Sequence, residues 1–107
     1  MEIRTVSFTQ SEFDFNLTAY VAGCQALIDA ENAKEKLSIS TGRRYVKLIA
    51  KRTDRNGSRV FAFIDMNTGD ILKPATWNAP AMHARGSIFA DDFGLSSTLW
   101  TGPKYLN

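Results

Sequence analysis

The sequence predicts an α+β fold, with one long amphipathic N-terminal helix packed on a three-stranded antiparallel sheet. Three observations carry that reading. Apolar residues recur at helical period behind a capping signature at Thr9. Two runs rich in Tyr, Val, Ile and Phe flank Asn56-Gly57, the strongest short hairpin signal. A second turn, Met66 to Asp70, leads into a third apolar run that Pro74 closes.

Taken in order, residues 2–8 alternate weakly through Ile3, Val6 and Phe8, as a short edge strand or an ordered lead-in. Thr9 and Glu12 form a T-x-x-E capping box, in which the two side chains satisfy amides that open a helix. Phe13, Leu17, Tyr20, Val21, Cys24, Leu27 and Ile28 then trace one helix face, which predicts a helix over about residues 10–36. Gly23 inside it costs ~1 kcal/mol relative to Ala, implying a close approach by the sheet or a break. Cys24 lies on the apolar face and reads as a small core residue. Glu31–Lys36 reads as a solvated last turn with cations where the helix dipole favours them.

Residues 37–42 are a linker or an entry into the sheet. Residues 43–52 are the first strand, 53–58 the Asn-Gly turn, 59–65 the second strand, and 71–74 the third. In the second strand Val60, Ala62 and Ile64 oppose Phe61 and Phe63. Both sets are apolar, so the strand is covered on both faces or exposes two phenylalanines. Gly69 is placed for positive φ, as in a type I turn with a bulge. Segment 73–89 is a proline-braced loop: Pro74 and Pro80 bracket Trp77, which anchors it to the core, and Pro80 starts a short helical turn over 81–85 that Gly86 stops. In residues 90–107, Phe93, Leu95, Leu99, Trp100, Tyr105 and Leu106 supply a tail that folds back onto the sheet or docks on a partner. No repeat or boundary divides residues 1–107, which read as one domain.

Composition narrows the function. The chain has 107 residues, 44% hydrophobic and 22% charged, ordinary for a soluble globular domain and unlike disordered or collagenous chains. One cysteine and one histidine exclude an internal disulfide, a Cys-rich zinc site and multi-histidine metal sites. The longest strongly apolar run, Val60–Ile64, falls far short of the ~20 residues of a membrane span. The N-terminus has no basic start followed by an apolar run, so the expectation is a protein of a reducing cell interior with no membrane partner. No P-loop, dinucleotide fingerprint or metal motif is present, so neither an enzyme nor a cofactor is expected.

The net charge of +2 is unevenly spread. Residues 1–36 carry six acids against three bases, residues 37–86 nine bases against three acids, and residues 87–107 two acids against one base. Seven of those bases, Arg43, Arg44, Lys47, Lys51, Arg52, Arg55 and Arg59, lie on one hairpin. Either the hairpin is an anion-binding face, or it is a solvated face whose charges pair with the acidic helix. On the first reading Tyr45, Phe61, Phe63 and Trp77 are stacking candidates for bases. Lys73, His83 and Arg85, beside the Gly86-Ser87 amides, are then a phosphate cradle; the alternative is a structural loop along the sheet edge. The one good helix is acidic on its exposed side, which favours single strands or phosphate backbone over major-groove reading. The expected function is therefore a non-enzymatic nucleic-acid-binding protein. The rival is a module that binds and modulates a host or viral protein, or that self-associates head to tail as a homo-oligomer through opposite charges.

The stretch G-D-I-L-K-P-A-T-W-N-A-P-A-M-H-A-R-G-S-I-F, preceded by R-V-F-A-F-I-D, resembles a group of small proteins of tailed bacteriophages that share a TGD hairpin, a KPAxWxAPA loop and an ARG turn. The likeness covers about residues 43–89. It implies a viral origin and action in the cytoplasm of an infected bacterium, where the rival module would be a host-takeover or anti-defence protein, and it carries over no catalytic residue.

Overall fold

Thr9 opens the helix as its side chain predicts. In the computed structural model, which describes residues 8–105, Thr9 Oγ1 accepts from the Glu12 amide at 3.1 Å and Glu12 Oε1 accepts from the Thr9 amide at 2.7 Å. Helix α1 runs Gln10–Ala30 and buries Phe13, Leu17, Tyr20, Cys24 and Ile28. It ends six residues before the expected 36. Asn32 adopts φ 54°, and the amides of Asn32 and Ala33 bond back to the carbonyls of Asp29 and Ile28. This is a left-handed C-terminal cap, and Asn is the residue after Gly that accepts it most readily. The helix does not break at Gly23; the close approach there comes from the Leu95 side chain instead of the sheet.

The sheet has five strands where three were expected: β1 (Glu35–Thr41), β2 (Tyr45–Arg52), β3 (Ser58–Asp65), β4 (Asp70–Pro74) and β5 (Pro80–Ser87), in that spatial order and all antiparallel. The linker over 37–42 is a strand because Leu37 and Ile39 alternate with serines, enough to line one face of an edge strand. The proline-braced loop is largely strand as well. Pro80 stands first in β5, where its missing N–H costs no ladder bond, so no helical turn forms over 81–85. The loop proper is the short link 75–79.

Helix α1 covers one face of this sheet. Val46, Leu48, Ala50, Ala62, Ile64 and Ile71 point toward it and form the core with Phe61 and Ile88. Phe61 joins them through a bulge: Leu48 pairs with Ala62 and Ile49 with Val60, so Phe61 is the extra residue. Strict alternation, which set Phe61 beside Phe63, fails at that point.

The tail completes the same face. A 3₁₀ turn (Leu95–Ser97) leads into β6 (Thr98–Leu99), which pairs with β7 (Gly102–Pro103). Thr98 Oγ1 shares a 3.0 Å hydrogen bond with the buried Tyr20 hydroxyl. The tail thus folds back beside the helix, as one of its two expected arrangements required. The expected lead-in strand over residues 2–8 lies outside the described residues except for Phe8, whose ring stacks on Phe89 at 4.3 Å. No helix among the described residues is long and apolar enough to cross a membrane.

Candidate nucleic-acid interface

Antiparallel partners share a face, so the register locates each cation. Opposite the helix lie Tyr45, Lys47, Ile49 and Lys51 of β2, paired with Asp65, Phe63, Val60 and Ser58 of β3 and, on the other side, with Lys36, Ser38 and Ser40 of β1. Neither α1 nor the tail covers this face. Same-face residues recur about every 7 Å along a strand. Lys51, Lys47 and the β1–β2 turn with Arg43 therefore form a cationic line roughly 25 Å long. Lys36 stands directly across from Lys51, a like-charge pair that works against strand pairing. Sequence reasoning placed Lys36 in the last helical turn and missed it; the end of the helix at Asn32 was the signal.

Aromatic groups interleave with these charges. The Lys47 ammonium lies 4.9 Å from the Trp77 ring centre and 5.8 Å from that of Phe63. Tyr45 meets Phe63 edge-on at 6.0 Å, and the Arg44 guanidinium lies 5.4 Å from the Tyr45 ring centre. Trp77 is 48% exposed, so it does not anchor its loop in the core but stands beside Lys47. An open groove of about 380 Å³ runs between Ser40, Arg43, Tyr45, Lys47, Phe63 and Asn78.

The hairpin cations divide into two sets. Arg59 is on the helix face and donates to both Glu35 oxygens at 2.9 Å and to the carbonyls of Thr101 and Trp100. That hydrogen bond, against an opposing contribution from burial, holds the Glu35 carboxyl below its usual range. Arg52 is bound by Asp54 at 3.0 Å. Arg44 reaches Asp65 at 3.2 Å, yet its side chain is 60% exposed and remains at the rim of the groove. Among the described residues, Lys36, Arg43, Lys47, Lys51 and Arg55 make no ion pair. Among the described residues no acid of α1 pairs with a hairpin base; Glu35, which does, belongs to β1.

Two further expectations give way. Phe61 is 1% exposed on the helix face, so it stacks on nothing outside the core; Phe63 is on the open face but 2% exposed, a floor for the groove. Lys73, His83 and Arg85 do not make a cradle. The Lys73 ammonium donates to the Pro103 carbonyl at 2.6 Å and lies 4.2 Å from the Tyr105 ring centre, while Arg85 donates to the carbonyls of His83 and Lys104. Burial, with Arg85 and Arg59 nearby, pushes the Lys73 ammonium toward a lower pKa. These side chains hold the tail, and His83 is exposed on the edge strand β5. Among the described residues no three His, Cys, Asp or Glu side chains gather as a metal site.

A family model described as a family of unknown function, DUF7717, matches residues 5–106, and the chain belongs to that family. No curated protein and no solved structure matches the chain.

Proposed function

We propose that this member of the DUF7717 family is a non-enzymatic protein that binds single-stranded nucleic acid along the sheet face opposite its helix. The observation that carries this reading is the alternation, along the β1–β2 side of the face opposite the helix, of cations without an ion pair (Lys36, Lys51, Lys47, Arg43) with aromatic rings (Tyr45, Trp77). Cations hold phosphates, and an exposed ring gives any base a stacking partner. The helix face serves the fold, so Arg52, Arg59, Lys73 and Arg85 drop out of the proposed interface, while Arg55 extends it at the hairpin tip. The proposed setting is the infected bacterial cytoplasm that the sequence resemblance implies.

Fluorescence anisotropy with a labelled mixed-sequence 12-mer, titrated from 50 to 300 mM salt, tests the reading. Four phosphate contacts give a slope of log K on log salt of about −3, since a single strand contributes about −0.7 per contact. Lys51→Ala and Lys36→Ala each flatten the slope by about 0.7. Trp77→Ala weakens binding by about 1–3 kcal/mol without changing the slope. Absence of salt-dependent binding, or variants that leave the slope unchanged, would refute the assignment.

A further inference from the structure

A second cavity, about 190 Å³ and more enclosed than the groove, adjoins it across a shared wall of Arg44 and Tyr45. Its apolar lining includes the buried Leu72 together with Pro80, Ala81 and Ala84, and its polar lining includes Asp65 and Asp70. The two carboxylates differ. Asp65 is 4% exposed and fully engaged, accepting from the Arg44 guanidinium and from the Asn67 amide at 2.8 Å. Asp70 is partly buried, and among the described residues no hydrogen bond or ion pair reaches its carboxylate. Its own amide is held by Thr68 Oγ1, which fixes the backbone and leaves both side-chain oxygens free.

Resting on the strand-binding reading above, we infer that this cavity takes one guanine base from the bound strand and that Asp70 reads it. A carboxylate repels phosphate, so within a polyanion site it is suited to a base. Of the four common bases, guanine alone presents two adjacent N–H donors, N1–H and the 2-amino group, on its Watson–Crick edge. They match the two oxygens of one carboxylate, and a splayed single-stranded base offers that edge freely. Tyr45, at the wall common to both cavities, gives the base a ring to lie against as the strand passes from the groove. Thymine would set a carbonyl against the same carboxylate.

The probes are thymidine 12-mers carrying one central guanine, one central inosine, or none. The wild-type protein is expected to bind the guanine strand about tenfold more tightly than the all-thymine strand, the lower end of a good base-specific contact. Inosine, which lacks the 2-amino group, should lose most of that gain. Asp70→Asn keeps the shape and should abolish the preference, while all-thymine binding holds or rises as a repelling charge is removed. Equal binding of all three strands by the wild type overturns the guanine assignment and leaves the strand-binding reading standing. No binding of any strand refutes that reading itself. An equal rise for every strand in Asp70→Asn reduces Asp70 to simple repulsion and also overturns the inference, as does displacement of a bound strand by an arginine-rich peptide from the wild type but not from Asp70→Asn.

Discussion

Replacing Arg59 by alanine separates the cations that build the fold from those that face a ligand. Its guanidinium donates to both oxygens of Glu35 and to the Trp100 and Thr101 carbonyls, so one side chain ties β3 to β1 and to the tail. The Glu35 side chain is 6% exposed and that of Arg59 34%. Removing one member of a fully buried pair costs about 3–5 kcal/mol; the exposure of Arg59 admits water to the orphaned carboxylate and lowers the expectation to about 2–3 kcal/mol. For a domain near this size that is a fall in Tm of roughly 10–15 °C. The deficit depends on pH. Arg59 holds the folded-state pKa of Glu35 below its unfolded value of about 4.3, so the pair contributes in full above that value and loses its contribution as pH falls through the folded pKa. Urea unfolding followed by circular dichroism should therefore show a large gap between wild type and Arg59→Ala at pH 7 and a smaller one near pH 3. Oligonucleotide affinity of the folded variant should hardly change. A variant as stable as wild type that has lost affinity would show that Arg59 faces a ligand, and a gap that stays constant down to pH 3 would refute the linkage.

Other substitutions probe the packing directly. Gly102 sits at φ 131°, and a Cβ there would meet the Phe61 carbonyl oxygen at 2.8 Å. Gly102→Ala should cost about 2–3 kcal/mol in thermal or urea unfolding, and wild-type stability would show that the tail does not seat against the β3 bulge. Burial pushes the Cys24 thiol up to about 12, so a thiol reagent at pH 8 should label it only at the rate of global unfolding; labelling of the native protein within seconds would contradict its place in the core. The Gln25 side chain donates to the Glu35 carbonyl at 2.9 Å and accepts from the Leu37 amide at 2.8 Å, standing in for a neighbouring strand at the β1 edge. Gln25→Ala should cost about 1–2 kcal/mol and speed hydrogen exchange at the Leu37 amide; unchanged exchange would show that the edge is protected otherwise.

The parts of the fold written in local chemistry were legible. The Thr9–Glu12 box, the apolar stripe through Ile28, the Asn56-Gly57 hairpin and the positive φ of Gly69 each follow from residues within one or two turns of one another. What was hidden depends on distant partners. Leu37 and Ile39 are too few apolar residues to announce a strand, and β1 exists because β2 supplies its ladder and Gln25 guards its outer edge. The segment Pro80–Ser87 has small and polar side chains suited to a loop, and becomes a strand through pairing with β4. The bulge at Phe61 has no sequence signature, yet it decides which phenylalanine is core. Concentration of charge on the hairpin was readable by counting; its division between the two faces was not, because register puts Arg59 on the helix face, where it reaches Glu35 across β2, and sets Lys51 opposite Lys36 on the other.

That division bears on why the acidic helix leaves the hairpin unneutralised. Glu12, Asp14 and Asp29 are exposed on α1, and Glu31 at its C-terminal cap; the helix lies across the opposite face of the sheet from Lys36, Lys47 and Lys51. A helix layer and the sheet together are thicker than the ~8 Å over which physiological salt screens exposed charges, so the helix acids do little to offset the open-face cations. The sequence asymmetry thus becomes a spatial one, acidic on the helix side and basic on the open side. Lys36 opposite Lys51 weakens the β1–β2 ladder, and Gln25 supports the same edge from the helix side. Exchanging Lys36 for Glu would relieve that repulsion, so a gain in stability coupled to a loss of strand binding is the outcome that a face shaped for phosphate demands.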